Sequence, residues 1–204
     1  MAFLDKVFGK GRGKPIVIIS GLPRSGTSMA MKMVQAAGIE VIQDGIRTAD
    51  DDNPKGYYEL EQVKDLDKPG NKSWLQAYRG KAVKVISFLL RDLPYDNDYK
   101  IVFMHRKIEE VLASQQKMLD RRGETNESSD DRMAEIYQDH LTKVQNLVRA
   151  RDNFECLEIH YSDVLSDAPT QARRMAEFLG MPEKADAMAA QVDQQLYRNR
   201  AQSG

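Results

Sequence analysis

The run Pro15-Ile16-Val17-Ile18-Ile19-Ser20 opens directly into Gly21-Leu22-Pro23-Arg24-Ser25-Gly26-Thr27-Ser28, and this juncture restricts the fold more than any other feature of the sequence. A continuous β-branched apolar run predicts a strand buried on both faces of a parallel sheet. Beyond the glycine-bearing turn, Ala30, Met33, Val34 and Ala37 recur at helical spacing, and Gly38 closes that helix. Strand, glycine loop and helix in direct succession form the first half of a βαβ unit. In an open α/β sheet, ligands sit beyond the carboxyl ends of the strands, so the segment Gly21 to Ser28 is placed where a ligand would be held.

The rest of the chain repeats the alternation. Further strands are predicted at Ala82–Ile86, Lys100–Met104 and Cys156–His160. The third strand leads into a helix with Ile108, Val111, Leu112, Met118 and Leu119 on one face. A long helix is predicted over about Asp131 to Arg151, and an amphipathic one over Pro169 to Leu179, ended by Gly180. These elements predict a single three-layer α/β/α domain around a mostly parallel sheet, over residues 15–193. Residues 1–14 are read as an N-terminal arm and 194–204 as a C-terminal tail. The stretches 44–56 and 122–130 read as loops, the second as a mobile lid.

Composition narrows the function. Lys and Arg number 30 against 31 Asp and Glu, so no basic excess marks a nucleic-acid partner. The one cysteine, Cys156, excludes an intrachain disulfide and a cysteine-based zinc site. No apolar run approaches the roughly 20 residues that span a bilayer. The N-terminus is too short and interrupted for a secretory leader, and the chain is read as cytoplasmic.

The loop itself carries chemistry. Gly21 and Gly26 have the Walker A spacing, which lets backbone N–H groups and a helix N-terminus converge on phosphate oxygens. The Walker pattern then requires Lys, but Thr27 stands there, and the cation is Arg24 inside the loop. An ATP or GTP enzyme also needs an acid at a strand end to hold Mg²⁺. The third strand instead ends in His105-Arg106, and Asp92 lies beyond the end of the second. A nucleotide whose transferable group is a sulfonyl carries less charge and can dispense with the metal.

Pro23-Arg24-Ser25-Gly26-Thr27-Ser28 resembles the 5′-phosphosulfate loop of the sulfotransferases that use 3′-phosphoadenosine-5′-phosphosulfate (PAPS). The resemblance implies a P-loop domain in which Arg24 meets the 5′-phosphosulfate, wrapped by the backbone of Ser25 to Ser28 and the Thr27 and Ser28 hydroxyls. Arg106 at a strand end, with Ser114 eight residues later, resembles the family's 3′-phosphate motif. A guanidinium fork recognises a phosphate bidentately, and a hydroxyl adds a donor. His160-Tyr161-Ser162-Asp163-Val164-Leu165 and Phe178-Leu179-Gly180-Met181-Pro182 resemble two later family segments. By that resemblance Tyr161 is an adenine-side contact, with a core tyrosine as the alternative. Arg198 in the tail is placed to supply a further cation, with a frayed terminus as its alternative.

Sulfonyl transfer also needs a base and a cation on the leaving group. Many family members end the second strand in Lys-Thr-His. Lys84 matches the Lys, whereas Ile86 stands at the His position, so that base is missing. Glu59, following a loop expected to cross the carboxyl edge, is the first choice for the role, against an exposed carboxylate opening a helix. His105 is expected to point away from Arg106, His140 reads as a core histidine, and His160 stays open as a base. The expected activity is metal-free transfer of a sulfonate from PAPS to a hydroxyl or amine on a small-molecule, lipid or carbohydrate acceptor. A P-loop kinase or NTPase and a non-catalytic nucleotide-binding protein are the alternatives.

Overall fold

The computed structural model describes residues 12–46, 58–124 and 129–193. The first predicted strand is β1, Ile16–Gly21, and every residue in it is buried. Such burial requires strands on both edges and helices on both faces. β2 (Ala82–Lys84) pairs with one edge of β1 and β3 (Tyr99–His105) with the other, and β4 (Phe154–His160) pairs beyond β3. The order is β2-β1-β3-β4 and every pairing is parallel.

Side chains alternate across this sheet and divide the core in two. Val17, Ile19, Val102 and Met104 face α1 (Thr27–Ala36), together with two later helices, α5 (Ala168–Leu179) and α6 (Ala185–Ala189). Ile16, Ile18, Ile101 and Phe103 face the opposite layer. That layer is built from α3 (Asp130–Ala150) and 3-10 turns at Glu61–Asp65, Ser73–Tyr78 and Ser87–Asp92. A smaller cluster joins Leu22 of the glycine loop to Val111 and Leu112 of α2 (Ile108–Arg122) and to Tyr137 of α3. The three layers expected from the alternation are present.

The chain leaves β1 for β2 on one side and returns to β3 on the other. Connections after β1 and β3 therefore diverge at the carboxyl edge, the point at which open α/β sheets form their ligand crevice. Register sets the depth of that crevice: Gly21 lies opposite Met104, so the glycine loop and the His105-Arg106 pair begin at one level.

Several boundaries differ from the sequence reading. β2 stops at Lys84 rather than Ile86: Val85 N still donates to Ile19 O at 3.0 Å, but Ile86 already leads into a 3-10 turn. α4 (Tyr161–Ser166) follows β4 without a loop, a short helix with too few residues to show a period. At the outer strand, Arg174 of α5 donates to the Glu158 carbonyl at 3.3 Å, and Lys100 of β3 donates to Phe178 O at the end of α5 at 2.6 Å. Lys100 thus brings a cation to the negative end of that helix. The arm residues 1–11, the loop residues 47–57, the predicted lid residues 125–128 and the tail 194–204 lie outside the described residues.

Ile18 is fully buried at the centre of the sheet, where truncation leaves a cavity that neighbouring strands cannot close. Ile18→Ala is expected to lower unfolding free energy by about 2–5 kcal/mol in a denaturant titration, without changing the slope.

Candidate functional site

The glycine loop is shaped by crowding on two sides. A Cβ on Gly21 would collide with the Ser25 hydroxyl and with the Met104 carbonyl, so the loop lies directly against β3. Gly26 takes φ 99°, and a Cβ there would fall 2.5 Å from Tyr161 Cδ2. Both positions demand glycine, each for closeness and for a positive φ that side chains rarely adopt, 148° at Gly21 and 99° at Gly26. Arg24 itself takes φ 69°, a strained value for a residue with a side chain. Gly26 is the N-cap of α1 and has no side chain to satisfy the helix's first N–H groups. Those N–H groups carry the positive end of the helix dipole, and an anion is their natural partner. Ser25 Oγ is buried and has no hydrogen-bond partner among the described residues, a further donor inside the same loop.

Arg106 enters from the end of β3. Its Nη1 donates to the Arg24 carbonyl at 3.0 Å, while its guanidinium carbon stands 4.6 Å over the Tyr161 ring. Arg24 Nε in turn donates to Ser114 Oγ at 3.0 Å, and Ser114 is only 4% exposed. The two elements read from the sequence, Pro23 to Ser28 and Arg106 with Ser114, are therefore one hydrogen-bonded unit. Tyr161 is also buried, against Gly26 and below Arg106, and its hydroxyl is raised above the usual tyrosine range chiefly by burial.

A second cluster forms at the end of β2. Lys84 Nζ lies 3.5 Å from Ser28 Oγ, which opens α1, and 3.7 Å from Glu59 Oε1. Glu59 is held from both directions. Tyr58 is buried, with its hydroxyl donating to Gln35 Oε1 of α1 at 3.2 Å, and the Glu59 carbonyl accepts from Asp44 N at 3.2 Å. Asp44 also receives Glu61 N and Ile46 N, which keep its carboxyl below the usual range. Lys84, Glu59 and Ser28 thus meet beside the glycine loop. Ile86, two residues beyond Lys84, is 38% exposed.

The histidines take up other positions. His105 turns towards β4, its ring stacked 5.0 Å from that of His160, its Nε2 3.4 Å from Glu158 Oε2. Its pKa lies below the usual range, first through burial. His140 stacks on Phe88 at 3.7 Å and shares a 2.9 Å hydrogen bond with the buried Ser87 hydroxyl, so it is the satisfied histidine expected from the sequence. Two residues escaped the sequence reading. Asp44 was read only as part of an acidic loop, and Glu110 was not singled out. Glu110 is in fact 5% exposed and paired with Arg106; its spacing four residues from Arg106 and four from Ser114 was the available signal. Arg198 lies outside the described residues. Among the described residues no group of three His, Cys, Asp or Glu side chains is placed to hold a metal ion, and no helix is long and apolar enough to cross a membrane.

A family profile described as "Sulfotransferase domain" matches residues 14–203. No curated protein matches the chain. Among solved structures, mouse sulfotransferase SULT7A1 complexed with PAP is similar with a TM-score of 0.54 at 13% identity, covering 96% of this chain and 69% of that one. The sulfotransferase domain from the curacin biosynthetic pathway is similar with a TM-score of 0.53 at 14% identity, covering 95% and 94%. At these identities the likeness is one of fold.

The contact between Gly26 and Tyr161 yields a direct test. Gly26→Ala combines left-handed strain with steric overlap, and should cost about 2 kcal/mol or more of stability. In a thermal melt Tyr161→Leu, Gly26→Ala should lie closer to Tyr161→Leu than Gly26→Ala lies to wild type, since the smaller side chain relieves the overlap and leaves only the strain.

Proposed function

The chain belongs to the sulfotransferase-domain family, and on that footing we propose that it transfers a sulfonate from PAPS to a hydroxyl or amine and releases adenosine 3′,5′-bisphosphate. The observation that carries this reading is the linkage of the two arginines, Arg106 bound to the loop of Arg24 and Arg24 bound to the helix that follows Arg106. Arg106 donates to the Arg24 carbonyl and Arg24 donates to Ser114, so cations from two neighbouring strand ends form one site. A nucleotide phosphorylated at both ends suits two such positions. In this reading Pro23, Arg24, Ser25, Gly26, Thr27 and Ser28 hold the 5′-phosphosulfate, and Arg106 with Ser114 holds the 3′-phosphate. Tyr161 supports both from below, and Arg198 is proposed as a further cation over the nucleotide.

Transfer breaks the bond between sulfur and the bridging 5′-phosphate oxygen and forms one between sulfur and the acceptor oxygen or nitrogen. The acceptor proton must leave and negative charge gathers on the departing phosphate. We assign the proton to the Glu59 carboxylate, which stands beside Lys84. Lys84, near Ser28 at the loop, together with Arg24, stabilises the leaving group. No part of this step needs a divalent metal. The acceptor is a small molecule, and a lipid or carbohydrate alcohol is within the proposal. The phosphoryl-transfer alternative is disfavoured by Thr27 at the Walker lysine position and by the absence of an acid at the end of β3.

Titration calorimetry in chelator tests the nucleotide. Adenosine 3′,5′-bisphosphate should bind without Mg²⁺ and lose about tenfold or more in Arg106→Ala, as expected for a charge-assisted contact to phosphate; a preference for Mg·ATP would overturn the reading. For the base, Glu59→Gln should bind the bisphosphate as wild type does while turnover with labelled PAPS falls by about 10²-fold or more. Unchanged turnover removes Glu59 from the mechanism.

A further inference from the structure

The proposed chemistry leaves one buried acid without a task. Glu110 stands in the first turn of α2 and accepts from Arg106 Nε at 2.9 Å, the two side chains being 5% and 8% exposed. A buried ion pair of this kind contributes little net stability over apolar residues of the same volume, because both ions lose their water. What it does supply is direction. The Arg106 guanidinium is gripped at Nε by Glu110, at Nη1 by the Arg24 carbonyl and across its face by Tyr161. A planar fork held in those three ways has its phosphate-facing edge fixed before any ligand arrives.

Helix α2 also serves the other arginine. Glu110 and Ser114, four residues apart, share one face of α2, and Arg106 stands just before the helix begins. Glu110 accepts from Arg106 and Ser114 accepts from Arg24, so a single rigid helix carries an acceptor for each anion-binding side chain. The spacing of the two guanidinium groups is thereby referred to one element. We propose that Glu110 is a positioning residue of the 3′-phosphate site: by holding the Arg106 fork it makes the protein prefer a nucleotide phosphorylated at both ends over one phosphorylated at the 5′ end alone. This rests on the PAPS reading above.

The carboxylate also has an opposing effect, since a negative charge near the site weakens Coulomb attraction for any phosphate. Glu110→Asp separates the two: it keeps the charge and withdraws the oxygens by one methylene. Calorimetry on wild type, Glu110→Asp and Glu110→Ala would compare adenosine 3′,5′-bisphosphate with adenosine 5′-monophosphate. Bisphosphate affinity should fall about tenfold to a hundredfold in Glu110→Ala and by a smaller factor in Glu110→Asp, while the monophosphate stays within about twofold. Glu110→Asp decides alone if the alanine variant does not fold. An unchanged ratio of the two affinities, a higher ratio in Glu110→Ala, or equal loss of both ligands in Glu110→Asp would overturn the assignment. A wild-type protein that shows no preference for the bisphosphate would instead overturn the functional reading beneath it.

Discussion

A strand with partners on both edges and packed layers on both faces has nowhere to bend, and β1 is such a strand. Its parallel pairing with β3 runs from Ile16 against Tyr99 to Gly21 against Met104 and leaves the two strands level where they end. The remaining geometry of the site follows from that levelness. The glycine loop must turn at once because Met104 O blocks a side chain at Gly21. Arg106, two residues beyond Met104, is then within reach of the Arg24 carbonyl. Lys84 arrives from the other edge of β1 and meets Ser28. A slip of one residue between β1 and β3 would turn the side chains to the wrong faces and separate the two arginine-bearing loops.

The site is organised rather than strongly charged. Arg24, Arg106 and Lys84 bring three cations to one edge of a protein whose net charge is −1, and each has a protein partner: Ser114, Glu110 and Glu59 respectively. Fixed dipoles and tethered charges do not have to reorient as charge develops on a leaving group, and this counts for more than the number of cations. The Glu110 and Glu59 carboxylates also offset the charges of Arg106 and Lys84 in the absence of ligand.

Much of this was legible in the sequence, for reasons that differ by element. β1 announced itself because full burial demands a continuous apolar run, and Gly21 and Gly26 because close backbone approach excludes every other residue. Arg106 with Ser114 was visible through the pair's resemblance to the family's 3′-phosphate motif. The boundaries of β2 were not, since Val85 and Ile86 are as β-prone as Ala82 and Val83, and only the pairing with Ile19 decides where the strand stops. The supports of the site were hidden for a different reason. Glu110 in a charged helix and Asp44 in a polar loop have the composition of solvated surface, and their burial or bonding depends on partners far away in the chain. The Tyr161 ring was read as an adenine-side contact or a core residue; its burial agrees with the second, and its particular packing against Gly26 depends on tertiary structure that the sequence does not display.

β4 lies at the end of the described sheet, with β3 as its strand neighbour. A terminal strand of seven residues offers unpaired backbone groups to any other extended chain, a common first step towards fibrils. Along β4 the exposed residues are Glu155, Glu158 and His160, and the Glu158 carbonyl is already taken by Arg174. Stacking a second copy in register would bring like carboxylates together and require that bond to be given up. The exposed carboxylates and the Arg174 bond therefore both oppose pairing of this border with a second extended chain.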